Sequence, residues 1–226
     1  VRRKSKKIDG HRKAASLEAR DADVRIIGGA FRGRRLRYHG DPVVRPMKHR
    51  TREAIFNLIS TECAGRHAID LFAGTGALGL EALSRGAATA TLIEKHVPSA
   101  RVVEENIRSL GVDERATLCV TSAFLWAKRD VAKAAAEDKS AGKSWLVFCS
   151  PPYAFYRERQ AEMLELIRRI QEHAPVGSIL IVETDEQFDF ELLRSGVSSG
   201  QDAVEWDVRA YLPAVIGIWR DLNRGR

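Results

Sequence analysis

Cysteine is scarce in this chain: Cys63, Cys119 and Cys149 are the only three in 226 residues, and they stand far apart. An odd number with no C-x-x-C pair argues against a disulfide framework and for a reducing compartment. The six histidines have no metal-like spacing, so no metal is expected. No apolar run approaches the roughly 20 residues of a membrane span. The basic N-terminal stretch is not followed by an apolar segment, so no signal peptide is expected either. Internal repeats are absent, and so is low-complexity sequence beyond that basic stretch. What remains is one globular unit with room for a small appendage, expected in the cytoplasm and away from membranes.

The charge that is present is unevenly placed. Residues 1–52 hold 17 Lys and Arg against 5 Asp and Glu, a balance of +12, while residues 53–226 hold 20 against 25, a balance of −5. A basic front on a slightly acidic body is the footprint of a nucleic-acid binder. Residues 1–22 are polar and basic with almost no apolar content, and are expected to be disordered when free. Residues 23–62 read as a separate RNA-binding element. Val24–Ile27 and Phe31–Tyr38 flank Gly28-Gly29 as a β-hairpin, with Arg32, Arg34, Arg35 and Arg37 on its second arm. Val44-Arg45-Pro46 is an extended linker, and 51–59 an amphipathic helix carrying Arg50 and Arg52 near its start.

From residue 63 onward the pattern alternates. Strands are predicted at 67–73, 88–94, 116–121, 145–150 and 178–184. Helices are predicted near 77–85, 97–110, 123–138, 157–173 and 187–195. Such alternation builds a parallel sheet with helices on both faces. The runs 204–212 and 214–220 are separated by Pro213 alone, too short for a crossover, so they pair antiparallel.

The first strand leads into Gly74-Thr75-Gly76-Ala77-Leu78-Gly79 and then a helix. A glycine turn admits a ligand close to the backbone, and the free N–H groups of the helix start face it. The spacing also matches a dinucleotide turn, with the acid Glu94 about twenty residues on. Asp70 argues the other way: a carboxylate in the turn repels a pyrophosphate and favours an amino group. The hairpin ending and Ser150-Pro151-Pro152-Tyr153 after the strand 145–149 have no place in hydride transfer either. Two prolines fix the backbone and remove two donors. What is left is the Ser150 hydroxyl, nearby carbonyls and the flat face of Tyr153, a corner suited to a base bearing an exocyclic amine.

Asp70 to Gly76, Glu94 and Ser-Pro-Pro-Tyr together resemble the class I S-adenosylmethionine-dependent amino-methyltransferases. Arg25-Ile26-Ile27-Gly28-Gly29, Arg32-Gly33-Arg34, Arg45-Pro46, Arg50-x-Arg52-Glu53-x-x-Phe56-Asn57 and Ser84-Arg85-Gly86-Ala87 are similar, more narrowly, to the RsmD family of bacterial 16S ribosomal RNA guanine-N2 methyltransferases. The resemblance runs from residue 24 to about 221. It implies a Rossmann-like α/β domain over 63–226, with a mostly parallel seven-stranded sheet ending in an antiparallel hairpin. It also implies S-adenosyl-L-methionine as cofactor, and ribosomal RNA or a small-subunit assembly intermediate as partner. A monomer is the expected form.

By the same resemblance Asp70, Phe72, Ala73, Gly74 and Gly76 hold the methionine end of the cofactor. Glu94 takes the ribose hydroxyls, and Lys95 borders the adenine. Ser122 and Ala123 stand where the family carries an Asp near the adenine amine. Ser150, Pro151, Pro152 and Tyr153 form the catalytic corner, where Asp or Asn is usual before the prolines. Phe155 or Tyr156 assists Tyr153 in stacking. Arg32, Arg34, Arg35, Arg37, Arg45, Arg50 and Arg52 face RNA. Ser122 in place of an acid is expected to cost about 1 kcal/mol of cofactor binding, since a neutral hydrogen bond is weaker than a charge-assisted one. The two serines leave other readings open: an amino-methyltransferase acting on cytosine or adenine, or a nucleic-acid binder with a decayed site.

Overall fold

The structure is a computed structural model that describes residues 24–40, 47–193 and 205–221. The basic stretch 1–22 and Arg45 lie outside the described residues. In chain order the elements are β1 (Val24–Arg25), β2 (Arg35–Leu36), α1 (His49–Ile59), β3 (His67–Asp70), α2 (Ala77–Ser84), β4 (Thr89–Ile93), α3 (Val97–Leu110) and β5 (Ala116–Cys119). There follow α4 (Ala123–Arg129), α5 (Val131–Ser140), β6 (Trp145–Cys149), α6 (Phe155–Glu158), α7 (Gln160–His173), β7 (Ile179–Asp185), β8 (Trp206–Tyr211) and β9 (Ala214–Arg220).

Seven strands form one sheet in the order β5-β4-β3-β6-β7-β9-β8. The first five run parallel, and β9 joins β7 and β8 antiparallel. The predicted sheet and its hairpin ending are therefore present. Strand periodicity sorts the apolar residues onto two faces. Leu146, Phe148, Ile179 and Ile181 join the cluster with α1, α2 and α3, while Trp145, Val147, Cys149, Leu180 and Val182 join the one with α4, α5 and α7. Cys63 and Cys149 are buried and free, and burial pushes their thiols up to about 11 and about 12.

Several boundaries differ from the sequence reading. The hairpin pairs only Val24 with Leu36 and Arg25 with Arg35. The helix predicted at 123–138 breaks at Asp130, which ends α4 and begins α5. Arg159 separates α6 from α7, and the last predicted helix is a 3-10 turn at Phe190–Leu193. Among the described residues, no helix is long and apolar enough to cross a membrane.

The N-terminal element is fastened to the sheet domain rather than standing apart. Val24, Ile26, Leu36, Ile55 and Phe56 share one core cluster with Leu80 and Leu83 of α2. Fully buried Glu81 accepts the N–H groups of Ile27 (2.6 Å) and Gly28 (2.8 Å), and the Arg85 Nε–H (2.8 Å). Ser84 accepts from the Phe31 N–H at 2.9 Å, and its carbonyl accepts from the Ala30 N–H at 2.8 Å. At Gly29 (φ 76°) a Cβ would stand 1.9 Å from the Ser84 carbonyl oxygen, so only glycine lets the turn approach α2 this closely.

This fastening corrects the reading of Arg52. The residue is 2% exposed, and its guanidinium donates to the Arg25 carbonyl. Its position three residues before Ile55 turns it inward with the apolar face of α1, so it braces the hairpin and cannot meet a phosphate. Arg50, two residues earlier, is exposed. Arg52→Ala is expected to lower folding stability by about 2 kcal/mol, through a lost buried hydrogen bond and lost packing. It should leave the RNA affinity of the folded fraction unchanged. Arg50→Ala should do the reverse. Denaturant titration and filter binding on both variants check the contrast.

Candidate functional site

The site lies at the C-terminal edge of the parallel strands, where an open α/β sheet presents its crevice. Asp70 ends β3 and is 1% exposed. Its Oδ2 accepts the Gly79 N–H at 3.2 Å from the first turn of α2, and its Oδ1 has no hydrogen-bond partner. Burial pushes its carboxyl up to about 7. The N–H groups of Gly79 and Phe72 work against that shift, and the charge of Glu94 adds to it. A buried carboxylate with one oxygen unmatched fits a ligand's amino group, whose charge would relieve it.

The turn between Asp70 and α2 uses positive φ at Gly74 (56°) and Gly76 (79°). A Cβ at Gly76 would press to 3.1 Å from Leu92 and 3.2 Å from Leu80, so the turn sits directly on β4 and α2. Glu94, just beyond β4, ties it down: Oε2 accepts the Gly74 N–H at 2.8 Å, and Oε1 accepts the His96 N–H at 2.8 Å. Each oxygen keeps a lone pair, enough for the two hydroxyls of a ribose. Asn106 of α3 links this turn to the hairpin. It donates to the Thr75 carbonyl (2.9 Å) and the Arg37 carbonyl (3.1 Å), and accepts the Arg37 N–H at 2.6 Å.

Beside Glu94 the rings of Phe72, Phe124 and Phe155 lie 6.1–6.2 Å from one another. Lys95 stands 5.5 Å over Phe155, and Arg159 stands 4.1 Å over Phe124. These faces and cations suit a flat aromatic group. Ser122 has another duty as well. Its hydroxyl caps α4 by accepting the Leu125 N–H at 3.1 Å, with buried Ala123 next in the chain. The hydroxyl proton and one lone pair stay available to a ligand.

The catalytic corner is joined to this turn by the sheet itself. Asp70 pairs with Phe148 of β6, and the Leu71 N–H bonds the Phe148 carbonyl at 3.0 Å. Ser150 therefore emerges next to the glycine turn. Pro151 is buried, Pro152 is exposed, and the Pro152 carbonyl accepts the Phe155 N–H at 2.9 Å, which leaves it one lone pair. Tyr153 is half-buried. Tyr156, expected to help it stack on a base, is instead 2% exposed and packed 4.7 Å from Phe188. Phe155 belongs to the three-ring cluster.

Sequence reasoning missed Glu183. The β6–β7 register pairs Cys149 with Val182, so Ser150, just past the end of β6, stands beside Glu183 within β7. Glu183 is 6% exposed and accepts the hydroxyls of both Ser150 and Tyr153, the latter at 2.7 Å. Burial raises its carboxyl above the ordinary glutamate range, and these two hydrogen bonds hold it back. A signal was present: Glu183 follows the apolar run Ile179–Val182 just as Glu94 follows its own strand.

Of the candidate RNA contacts, Arg32, Arg34, Arg35, Arg37 and Arg50 are exposed. Arg34 donates to the Ser109 carbonyl at 2.5 Å, and Arg37 pairs with Glu105 at 3.2 Å. An exposed pair of this kind is worth at most about 1 kcal/mol, so exchange for a phosphate costs little. Among the described residues, no group of three or more His, Cys, Asp or Glu is arranged to hold a metal ion.

Comparison with known proteins bears on the fold and the family. The family model described as conserved hypothetical protein 95 matches residues 24–195. Ribosomal RNA small subunit methyltransferase D of Escherichia coli K12 is 46% identical over 87 residues, 38% of this chain and 44% of that protein. The alignment thus spans less than half of that relative's length. A putative rRNA methyltransferase of Bacillus subtilis, YlbH, is 29% identical over 166 residues, 74% of this chain and 85% of its own. Among solved structures, the putative methyltransferase yhhF of Escherichia coli superposes with a TM-score of 0.63 at 25% identity, covering 88% of this chain and 98% of that one. The sheet order and these likenesses give the chain the class I methyltransferase fold, and it belongs to the RsmD family, conserved hypothetical protein 95.

Proposed function

We propose that the chain transfers a methyl group from S-adenosylmethionine to the exocyclic N2 of a guanine in small-subunit ribosomal RNA. The observation that carries this reading is the adjacency of two unlike half-sites. Paired strands β3 and β6 set a turn fitted to a charged amino group beside a corner fitted to an exocyclic amine. The ribosomal substrate is what the names of the relatives say of those proteins, and guanine N2 is what the resemblance to the RsmD family implies.

When bound, the cofactor supplies an electrophilic methyl on a sulfonium. The protein's part is placement and electrostatics. Asp70 Oδ1 receives the amino group, and Glu94 the ribose hydroxyls. Lys95 and the Phe72–Phe124–Phe155 rings border the adenine. Ser150 Oγ accepts from the target amine, and the Tyr153 ring supports the base. Turning the nitrogen lone pair toward the methyl requires acceptors around the amine and no strong base, so orientation is the main source of rate. Exposed Arg32, Arg35 and Arg50 are placed to follow the RNA backbone, with salt-dependent affinity. A base in folded RNA has to be unstacked to enter the corner. Acting as a monomer in the cytoplasm, on RNA or an assembling subunit, belongs to the same proposal.

The test is transfer of labelled methyl from S-adenosylmethionine to protein-free 16S RNA and to partly assembled small subunits. Incorporation into either supports the reading, with loss on Ser150→Ala. Tight cofactor binding without incorporation into either substrate overturns it.

A further inference from the structure

The Ser-Pro-Pro-Tyr corner is governed by a residue outside it. A serine or tyrosine hydroxyl standing alone can either donate or accept. In this site the choice is made by one buried carboxylate: Glu183 Oε2 takes the Ser150 hydrogen, and Oε1 takes the Tyr153 hydrogen at 2.7 Å. Each hydroxyl has a single hydrogen, so what each presents elsewhere is lone pairs. Pro151 and Pro152 contribute no N–H. We infer that Glu183 is a positioning residue that makes this corner acceptor-only, so that it admits an exocyclic amine and rejects an exocyclic carbonyl at the same place. The inference rests on the proposed amino-methyltransferase activity and adds the device by which the amine is selected.

The geometry supports it in three ways. First, the β6–β7 register fixes Glu183 beside Ser150 through the backbone, so the pairing does not depend on a flexible loop. Second, Glu183 is 6% exposed, so water does not compete for its oxygens as it would at the surface. Third, the chain has Ser150 where the family resemblance leads one to expect Asp or Asn. A carboxylate arriving from the neighbouring strand supplies the missing negative charge to the same corner, one hydroxyl removed. An amine N–H placed there meets acceptors. A carbonyl oxygen meets only other lone pairs, and a site built this way rejects the analogue that lacks the matching group.

The titratable groups facing Glu183 are Tyr153 on the loop, Cys149 at the end of β6 and Tyr156 on α6. Burial holds the Cys149 thiol and the Tyr156 phenol neutral across the working range. Asp70, held to about 7 by burial, also reaches Cys149 with its charge, but it faces the cofactor turn; Glu183 is the group whose titration changes the two hydroxyls of the corner. When it takes a proton, it brings a donor hydrogen into the site, and the preference for an amine declines.

The experiment uses the full chain saturated with S-adenosylhomocysteine. Binding of guanosine monophosphate and inosine monophosphate, which differ only by the 2-amine, is measured by calorimetry or ligand-observed magnetic resonance. The wild type is expected to bind the guanine nucleotide at least fivefold more tightly at pH 8. Glu183→Gln, whose amide can donate, should bring the two affinities within twofold of each other. Its affinity for S-adenosylhomocysteine should stay within twofold of wild type, which shows an intact fold. If Glu183→Gln does not fold, the wild type alone decides: its preference should fall at least twofold between pH 8 and pH 4, below the ordinary glutamate value from which Glu183 is raised. A wild type that prefers the amine-bearing nucleotide in none of the guanosine–inosine, cytidine–uridine and adenosine–inosine pairs, a variant that keeps such a preference, or a preference indifferent to pH overturns the inference. A preference for cytidine over uridine monophosphate, or for adenosine over inosine monophosphate, with none between guanosine and inosine, upholds the acceptor-only corner. That result would overturn the guanine assignment alone.

Discussion

Asp70→Asn is expected to stabilise the ligand-free protein at pH 8 while weakening its binding of S-adenosylmethionine at least tenfold. The sign follows from the burial of Asp70. In the unfolded chain its carboxyl ionises near 3.8, and in the folded chain burial delays ionisation to about 7. The folded state thus holds the proton more tightly, and stability falls as pH rises from about 4 to 7. Above that window the full cost of a buried charge is present, on the order of 4 kcal/mol at 1.36 kcal/mol per pH unit. Asparagine carries no charge, and its oxygen can keep the Gly79 hydrogen bond, so the cost is removed. That orientation turns the amide –NH2 toward the place where Asp70 Oδ1 is unmatched. A donor then faces the ligand's amino group. Melting curves at pH 5 and pH 8, with calorimetry on the same samples, check both halves. Asp70→Asn should gain stability mainly at pH 8. Destabilisation at both pH values would show that Asp70 serves the fold and not the ligand.

The second large effect is expected at Glu81, which faces the hairpin. This one side chain accepts two backbone N–H groups of the hairpin and the Arg85 guanidinium, and its charge also favours the charged form of Arg52. Glu81→Ala leaves two cations and two donors around a buried void. Removing one partner of a buried ion pair typically costs about 3–5 kcal/mol, and the hairpin should lose its seat before the sheet unfolds. Denaturant titration should show that loss, and RNA affinity should fall because Arg32 and Arg35 are no longer held in one orientation. Glu81→Gln keeps an acceptor oxygen and should be milder. A loss below about 1 kcal/mol for Glu81→Ala would mean that the apolar contacts of Ile26, Ile55 and Phe56 seat the hairpin unaided.

The sheet, its antiparallel ending and the cofactor turn were legible because they are written in local pattern: apolar runs, glycines at a turn, an acid at a strand end. Asp70 and Glu94 both stand where that pattern put them. Glu183 has the same local signature, but its importance comes from the pairing of β6 with β7, which joins residues 33 positions apart. Arg52 failed for the opposite reason. Its charge suggested exposure, yet its place on α1 set it on the buried face, where Glu81 offsets its charge. The arginine-rich stretches shared with the family thus divide in two. Arg52 and Arg85 bind the hairpin to α2, with Arg85 stacked 4.8 Å over Phe56, and the exposed arginines are the ones the proposed RNA contact would use. Ser122 and Ser150 looked like gaps in a family pattern. In the fold one caps a helix and the other is held by a carboxylate.

Identification of the methylated nucleoside tests the central claim most directly. Small-subunit RNA methylated by the purified protein is digested to nucleosides, and the product is separated and weighed by mass spectrometry against synthetic standards. The proposed function predicts N2-methylguanosine, absent when Ser150→Ala replaces the wild type. N4-methylcytidine or N6-methyladenosine as the product would contradict it.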